Sequence, residues 1–128
     1  VVAESPQTPT LLFANTRSQC DRIAEWLHQA RIPHALYRGE MERVARRRNL
    51  RAFRNGEVHL LLTTDLGGRG LDIDGVDRVV NVHLPREVDN YLHRAGRTAR
   101  AGRDGVVVNL VTDRDQPLLD KVAALGSR

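Results

Sequence analysis

Short apolar runs alternate with stretches of helical period along almost the whole chain, and this alternation limits the possible folds more than any other feature. Thr10–Ala14 reads TLLFA, His34–Tyr37 HALY, His59–Thr63 HLLLT, Arg78–Val82 RVVNV and Gly105–Val111 GVVVNLV. Each suits a short strand, and Thr10–Ala14 and His59–Thr63 suit buried ones. Strands that alternate with helices at this pace form a parallel sheet with helices on both faces, an α/β fold. In such sheets ligands collect at the carboxyl ends of the strands. The glycine-bearing, charged stretch Thr63–Ile73 follows one of those ends directly.

The intervening segments carry helix signals. Thr16-Arg17-Ser18-Gln19 fits a capping box, and Cys20, Ile23, Trp26, Leu27 and Ala30 then recur at helical spacing. That spacing assigns Trp26 to the core rather than to a stacking platform. Glu42–Arg54 reads as a second helix, with Arg43, Arg47, Arg51 and Arg54 on one stripe and Leu50 and Phe53 turned to the core. Glu87–Arg94 reads as a third. Asp113–Leu125 closes the chain, with Asp113 as N-cap and Gly126 as stop. Val1–Pro9 holds two prolines and no periodicity, so residues 1–9 read as a linker or frayed end and 10–126 as one domain.

Charge narrows the function. Of the 20 Lys and Arg residues only Lys121 is lysine, and the formal net charge is +4. Arg43, Arg46, Arg47, Arg48, Arg51 and Arg54 crowd one segment. His93–Arg103 (HRAGRTARAGR) sets Arg94, Arg97, Arg100 and Arg103 at three-residue intervals broken by Gly96 and Gly102. Planar, permanently charged guanidinium groups on glycine-bearing backbone suit phosphate oxygens, so the anionic partner is read as nucleic acid together with nucleotide phosphate. One cysteine, Cys20, excludes an internal disulfide and a cysteine-cluster metal site. The sequence has no long apolar span and no signal-peptide pattern, so the expectation is a cytoplasmic protein without membrane contact.

The stretches TTDLGGRGLDI (Thr63–Ile73) and HRAGRTARAGR (His93–Arg103) resemble motifs V and VI of the DEAD-box RNA helicases of superfamily 2. LLFANTR (Leu11–Arg17) resembles motif IV, and RGEMERVARRRNLRAFRNG (Arg38–Gly56) resembles the family segment HGxxxQxxRxxxLxxF. The likeness stays in register over about Thr10–Thr112. It implies the C-terminal RecA-like domain, a three-layer sandwich that works with an N-terminal RecA-like domain of the same protein. The 128 residues contain no G-x-x-x-x-G-K-[ST] phosphate loop and no Asp-Glu-Ala-Asp tetrad. ATP and Mg2+ are therefore expected to be held mainly by the N-terminal domain, and this chain alone is expected to be inactive.

By the same resemblance, Arg97 and Arg100 are arginine fingers toward the γ-phosphate. His93 ties motif VI to the acidic tetrad of the other domain, Asp72 accepts from the ATP ribose, and Gly70 lets the chain turn close to the nucleotide. Arg17, Gly39, Arg46 and Thr64 line a track for single-stranded or short duplex RNA. Arg43, standing where the family has glutamine, joins that track as an added cation. In plainer readings Asp72 pairs with Arg69, Asp65 is structural, and Arg94 is either a cross-domain salt-bridge partner or surface. Gly67 and Gly68 replace small alanines, and His83 replaces a frequent aspartate. Two rival functions stay open: a free-standing, non-catalytic RNA-binding or regulatory domain, and a DNA-directed superfamily 2 helicase domain. Motif VI counts against the first, and His93 with RGLDI against the second.

Overall fold

The computed structural model describes residues 8–65, 76–98 and 105–126. Five strands, β1 (Thr10–Ala14), β2 (Ala35–Tyr37), β3 (Leu60–Thr64), β4 (Arg78–Asn81) and β5 (Val106–Asn109), form one sheet in the order β2-β3-β1-β4-β5. Every pairing among them is parallel, with β1 central in register Leu12↔Leu62 and Leu12↔Val80. The helices are α1 (Arg17–Gln29), α2 (Arg43–Arg54), α3 (Val88–Ala95) and α4 (Gln116–Gly126). A parallel sheet between helices is the architecture that the alternation predicts.

Side-chain alternation sorts the core into two layers. Leu11 and Phe13 of β1 join Leu61, Val79 and Ala35 beneath Phe53 of α2, with Leu50 partly buried beside them. Leu12 and Ala14 face the other way, with Leu60, Leu62 and Val80 against Cys20, Ile23 and Leu27 of α1. A one-residue slip of β1 would exchange these two sets, so packing fixes the register. A smaller cluster of Leu84, Tyr91 and Leu118 holds α3 against α4.

Local chemistry explains the helix ends. Thr16 Oγ1 accepts from Gln19 N–H at 3.1 Å while Gln19 Oε1 accepts from Thr16 N–H at 3.1 Å, the reciprocal box that starts α1. After α2, Gly56 takes φ +79, a left-handed conformation that glycine adopts without a Cβ penalty. Arg31 closes α1 in the same region, at φ 59, where a side chain is strained.

Three expectations need correction. Trp26 is 72% exposed. At 100° per residue it lies a full step around the helix from Leu27, outside the face that Cys20, Ile23 and Leu27 bury. Ala30 is likewise exposed and caps α1 instead of packing. Asp113 is not the N-cap of the last helical segment. Thr112 holds that position in extended backbone, and its N–H and hydroxyl both donate to Asp115 Oδ2, at 2.7 and 3.1 Å. A 3-10 turn, Asp113–Asp115, then leads into α4. Among the described residues no helix is long and apolar enough to cross a membrane.

Candidate functional site

The carboxyl ends of β1, β3 and β4 each present a short polar side chain: Asn15, Asp65 and Asn81. All three converge on Arg94 of α3, whose side chain is only 1% exposed. Its Nε donates to Asp65 Oδ1 and its Nη2 to Asp65 Oδ2, both at 2.7 Å, the bidentate geometry that a planar guanidinium permits. Nη2 also donates to Asn15 Oδ1 at 2.7 Å. Nη1 donates to Asn81 Oδ1 at 3.1 Å and to the His83 carbonyl at 2.8 Å. All five N–H groups thus have acceptors, and the group lies over the Phe13 ring at 5.0 Å. Arg94 is neither a surface group nor open to a cross-domain partner. A buried charge needs this degree of pairing, and the sequence supplies it from three strand ends. Asn81 extends the network through Asn109 Oδ1 at 2.8 Å, and Asn109 Nδ2 donates to Tyr91 Oη at 3.0 Å. Asp65 is structural, as expected.

The segment just after α3 is fastened as well. Val76 N–H donates to the Arg97 carbonyl at 3.1 Å, and Thr98 Oγ1 donates to the Val76 carbonyl at 2.5 Å. The HRAGRT stretch therefore holds both flanks of residues 66–75: Asp65 through Arg94, and Val76 through Arg97 and Thr98. His93, by contrast, is exposed and Arg97 half-buried. Buried Tyr91 and Arg94 lie three residues apart on the inner face of α3, which turns His93 outward.

The expected RNA residues lie toward the β2–β3–β1 half of the sheet. Arg17 opens α1 just beyond β1 and is exposed, Gly39 follows β2 and is exposed, and Thr64 is the buried last residue of β3. On α2, Arg43 is exposed and Arg46 half-buried with its guanidinium over the Tyr37 ring at 5.8 Å. Asn49 Nδ2 ties the helix to the Leu36 carbonyl at 2.8 Å. Gly67, Gly68, Arg69, Gly70, Asp72, Arg100, Gly102 and Arg103 lie outside the described residues. The sequence reading missed a second cluster at this end. Arg38 pairs with Asp21 and has Glu40 Oε1 2.9 Å from its Nε, and Glu40 Oε1 also lies 3.8 Å from Arg17 Nε.

Among the described residues, two titratable groups are perturbed. Burial pushes the Cys20 thiol up to about 11, and its Sγ lies 3.6 Å from the Thr63 carbonyl, so it is an inert core group. Burial first, then the Arg94 and Arg22 charges, lower the His83 imidazole below its usual value. His83 acts in the network through its backbone carbonyl, a role that any residue at this position could fill.

Residues 1–102 match the family profile of the Helicase conserved C-terminal domain. The chain is 41% identical to DEAD-box ATP-dependent RNA helicase 28 of Arabidopsis thaliana over 123 residues, which is 95% of this chain and 16% of that protein. It is also 41% identical to the ATP-dependent RNA helicase SrmB of Escherichia coli over 115 residues, 90% of this chain and 26% of SrmB. Among solved structures, E. coli SrmB bound to the regulator of ribonuclease activity A superposes with a TM-score of 0.85 at 38% identity, covering 94% of this chain and 72% of that one. The chain spans about a quarter or less of the length of these two curated relatives.

Proposed function

Because the chain belongs to the DEAD-box RNA helicases, as their helicase C-terminal domain, we propose that it serves as the second RecA-like domain of an ATP-dependent RNA helicase. In this reading it supplies arginine fingers to ATP held mainly by the N-terminal RecA-like domain, and half of a sequence-independent RNA track. ATP, when bound, provides the phosphoryl group that is transferred to water. The residues of this chain that would meet it are Arg97 and Arg100 at the γ-phosphate, Asp72 at the ribose and Gly70 where the chain turns close to the nucleotide, while His93 would tie the stretch to the acidic tetrad of the other domain. The two guanidinium groups suit phosphate, and the Asp72 carboxylate suits a ribose hydroxyl donor. Magnesium is assigned to carboxylates of the other domain.

The observation that best supports the reading is the contrast within one stretch. Arg94 is locked inward by five hydrogen bonds, while neighbouring His93 is exposed and Arg97 half-buried. A loop that served only as a solvated basic surface would not need a buried anchor. Once the two domains close, a fixed guanidinium neutralises charge on the transferring phosphoryl group, an effect worth about 10³–10⁵ in rate in analogous NTPases. Closure also bends bound RNA, and phosphate contacts from Arg17, Gly39, Arg43, Arg46 and Thr64 position the strand without reading its bases.

The test is to change Arg97→Lys and Arg100→Ala separately in the full-length protein. Lysine cannot reproduce the planar fork. RNA-stimulated turnover should fall by orders of magnitude while ATP affinity moves little, since the contact belongs to the transition state. Near-normal turnover in both variants would refute the finger assignment.

A further inference from the structure

The turn after β2 brings together four charged side chains from two segments: Arg17 and Asp21 of α1, and Arg38 and Glu40 of the turn closed by the Met41 N–H to Arg38 carbonyl bond of 3.2 Å. The Arg38 side chain is 16% exposed and sits between Asp21 and Glu40. Glu40, 39% exposed, reaches across to Arg17, which is 68% exposed. Two cations and two anions leave this corner without net charge. The adjacent α2 differs sharply: from Arg43 to Arg54 it carries six arginines and no acid.

The pairing at this corner is incomplete. Glu40 Oε1 is 2.9 Å from Arg38 Nε but off the N–H direction, so that buried N–H has no well-directed acceptor. Arg46 Nε, on the neighbouring helix, is buried without an acceptor too. Buried guanidinium N–H groups are normally satisfied, and each exception calls for a cause. The Glu40–Arg17 contact of 3.8 Å is longer than a hydrogen bond and is exposed to solvent, so it holds only weakly. Arg38 also stands where the family segment has histidine, which adds a permanent charge at this turn.

We propose that Glu40 is an internal competitor for RNA phosphate. It occupies Arg17 and Arg38 in the RNA-free domain, and a backbone phosphodiester of single-stranded RNA displaces it, with Arg38 then joining Arg17 as a phosphate contact. The inference rests on the RNA track proposed above and deepens it. Glu40 carries the charge of one phosphate and lies between Arg17 and Arg38, so strand and carboxylate cannot both take these donors. The weakness of the Glu40–Arg17 pair makes Glu40 a brake on nonspecific binding and not a block.

The test is binding of a fluorescein-labelled ten-uridine strand to the full-length protein at several salt concentrations. Glu40→Gln keeps the side-chain shape and removes the charge. It should tighten binding about two- to fivefold, the range of an exposed ion pair, and steepen the log–log salt dependence by about 0.7, one phosphate on a single strand. The gain should shrink in an Arg17→Ala background and vanish when Arg38→Ala is added to it, since Glu40 contacts both cations. Asp21→Asn raises net charge equally without touching Arg17, so any gain from it should survive Arg17→Ala. If Arg17→Ala weakens binding but Glu40→Gln does not tighten it, the competitor role is overturned and the track stands. Equal gains from Glu40→Gln and Asp21→Asn, both undiminished when Arg17 and Arg38 are replaced together, would reduce the effect to net charge and overturn it as well. If Arg17→Ala and Arg46→Ala both leave binding unchanged, the track falls and the competitor role with it. Circular dichroism of each variant establishes that the fold is intact.

Discussion

Arg94→Ala is the most informative single change, because the structure supplies each part of its cost. The substitution removes a cation that is 1% exposed and leaves five acceptor contacts without a donor. Breaking a buried ion pair by deleting one partner costs about 3–5 kcal/mol. Asp65 is 29% exposed, so water recovers part of its charge and the ion-pair share belongs at the lower end of that range. Asn81 Oδ1 is fully buried and gains no such relief, which adds about 1–2 kcal/mol for an unsatisfied acceptor. The expected loss is about 4 kcal/mol, a large share of the roughly 5–15 kcal/mol available to a domain.

Arg94→Lys should be only partly better. An ammonium offers three donors and cannot span both Asp65 oxygens, so about 2–3 kcal/mol should still be lost. Urea unfolding followed by far-ultraviolet circular dichroism measures both. Tryptophan fluorescence is a poor probe here, because Trp26 is already mostly exposed in the folded chain. Asp65→Asn alone and combined with Arg94→Lys closes a double-mutant cycle, and strong coupling is expected between residues in direct contact. An Arg94→Ala midpoint within about 0.5 kcal/mol of the parent, the scale of an ordinary surface change, would refute the buried-anchor account.

Other outcomes follow from the same structure. The 128-residue chain alone should show no RNA-stimulated ATP hydrolysis or unwinding, since it contains no phosphate loop; turnover that survives repurification would contradict this. Cys20 should resist alkylation at pH 8 in the folded chain and react rapidly in urea. Because its folded pKa of about 11 lies above the ordinary value of 9.0, its contribution to stability is intact below pH 9 and declines from there to pH 11. Cys20→Ala should remove that alkaline slope, as a pH series of urea midpoints would show. Arg31→Gly relieves a left-handed residue and should stabilise the chain by about 0.5–1 kcal/mol in the same assay; a loss of stability would mean that the Arg31 side chain contributes more than its backbone strain costs.

The inner strands β1, β3 and β4 were legible because burial on both sheet faces writes continuous apolar runs, the edge strands β2 and β5 are only partly buried, and observed bounds lie within two residues of the expected ones. Trp26 was misread because helical spacing marks a stripe whose width depends on what packs against it. Leu27 touches the sheet and Trp26, one step around, does not. Arg94 was ambiguous for a different reason. In the repeat of His93–Arg103 it is identical in type and spacing to Arg97, and only the acceptors decide between them. A signal for those acceptors was present, since TLLFA, LLLTT and RVV each run into Asn or Asp. Three polar residues at the same end of adjacent strands mark a place where a buried cation is welcome. The Arg38–Glu40 turn had no comparable signal, because its partners Arg17 and Asp21 come from a segment distant in sequence.

The buried network also bears on how the proposed RNA and nucleotide sides of the domain would be joined. Thr64, on the expected RNA track, is followed directly by Asp65, which Arg94 grips through both oxygens. Three residues later in the same stretch, half-buried Arg97 receives the Val76 N–H on its carbonyl. A close-packed interior moves between discrete arrangements and does not deform freely. A shift of β3's end would therefore have to carry α3 with it or break a bidentate buried pair. The cheaper motion keeps Asp65, Arg94 and Arg97 together as one body. If the proposed roles of Thr64 and Arg97 hold, this rigid unit spans from the RNA-side strand end to the nucleotide-side guanidinium, and a contact at either end biases the pose of the other.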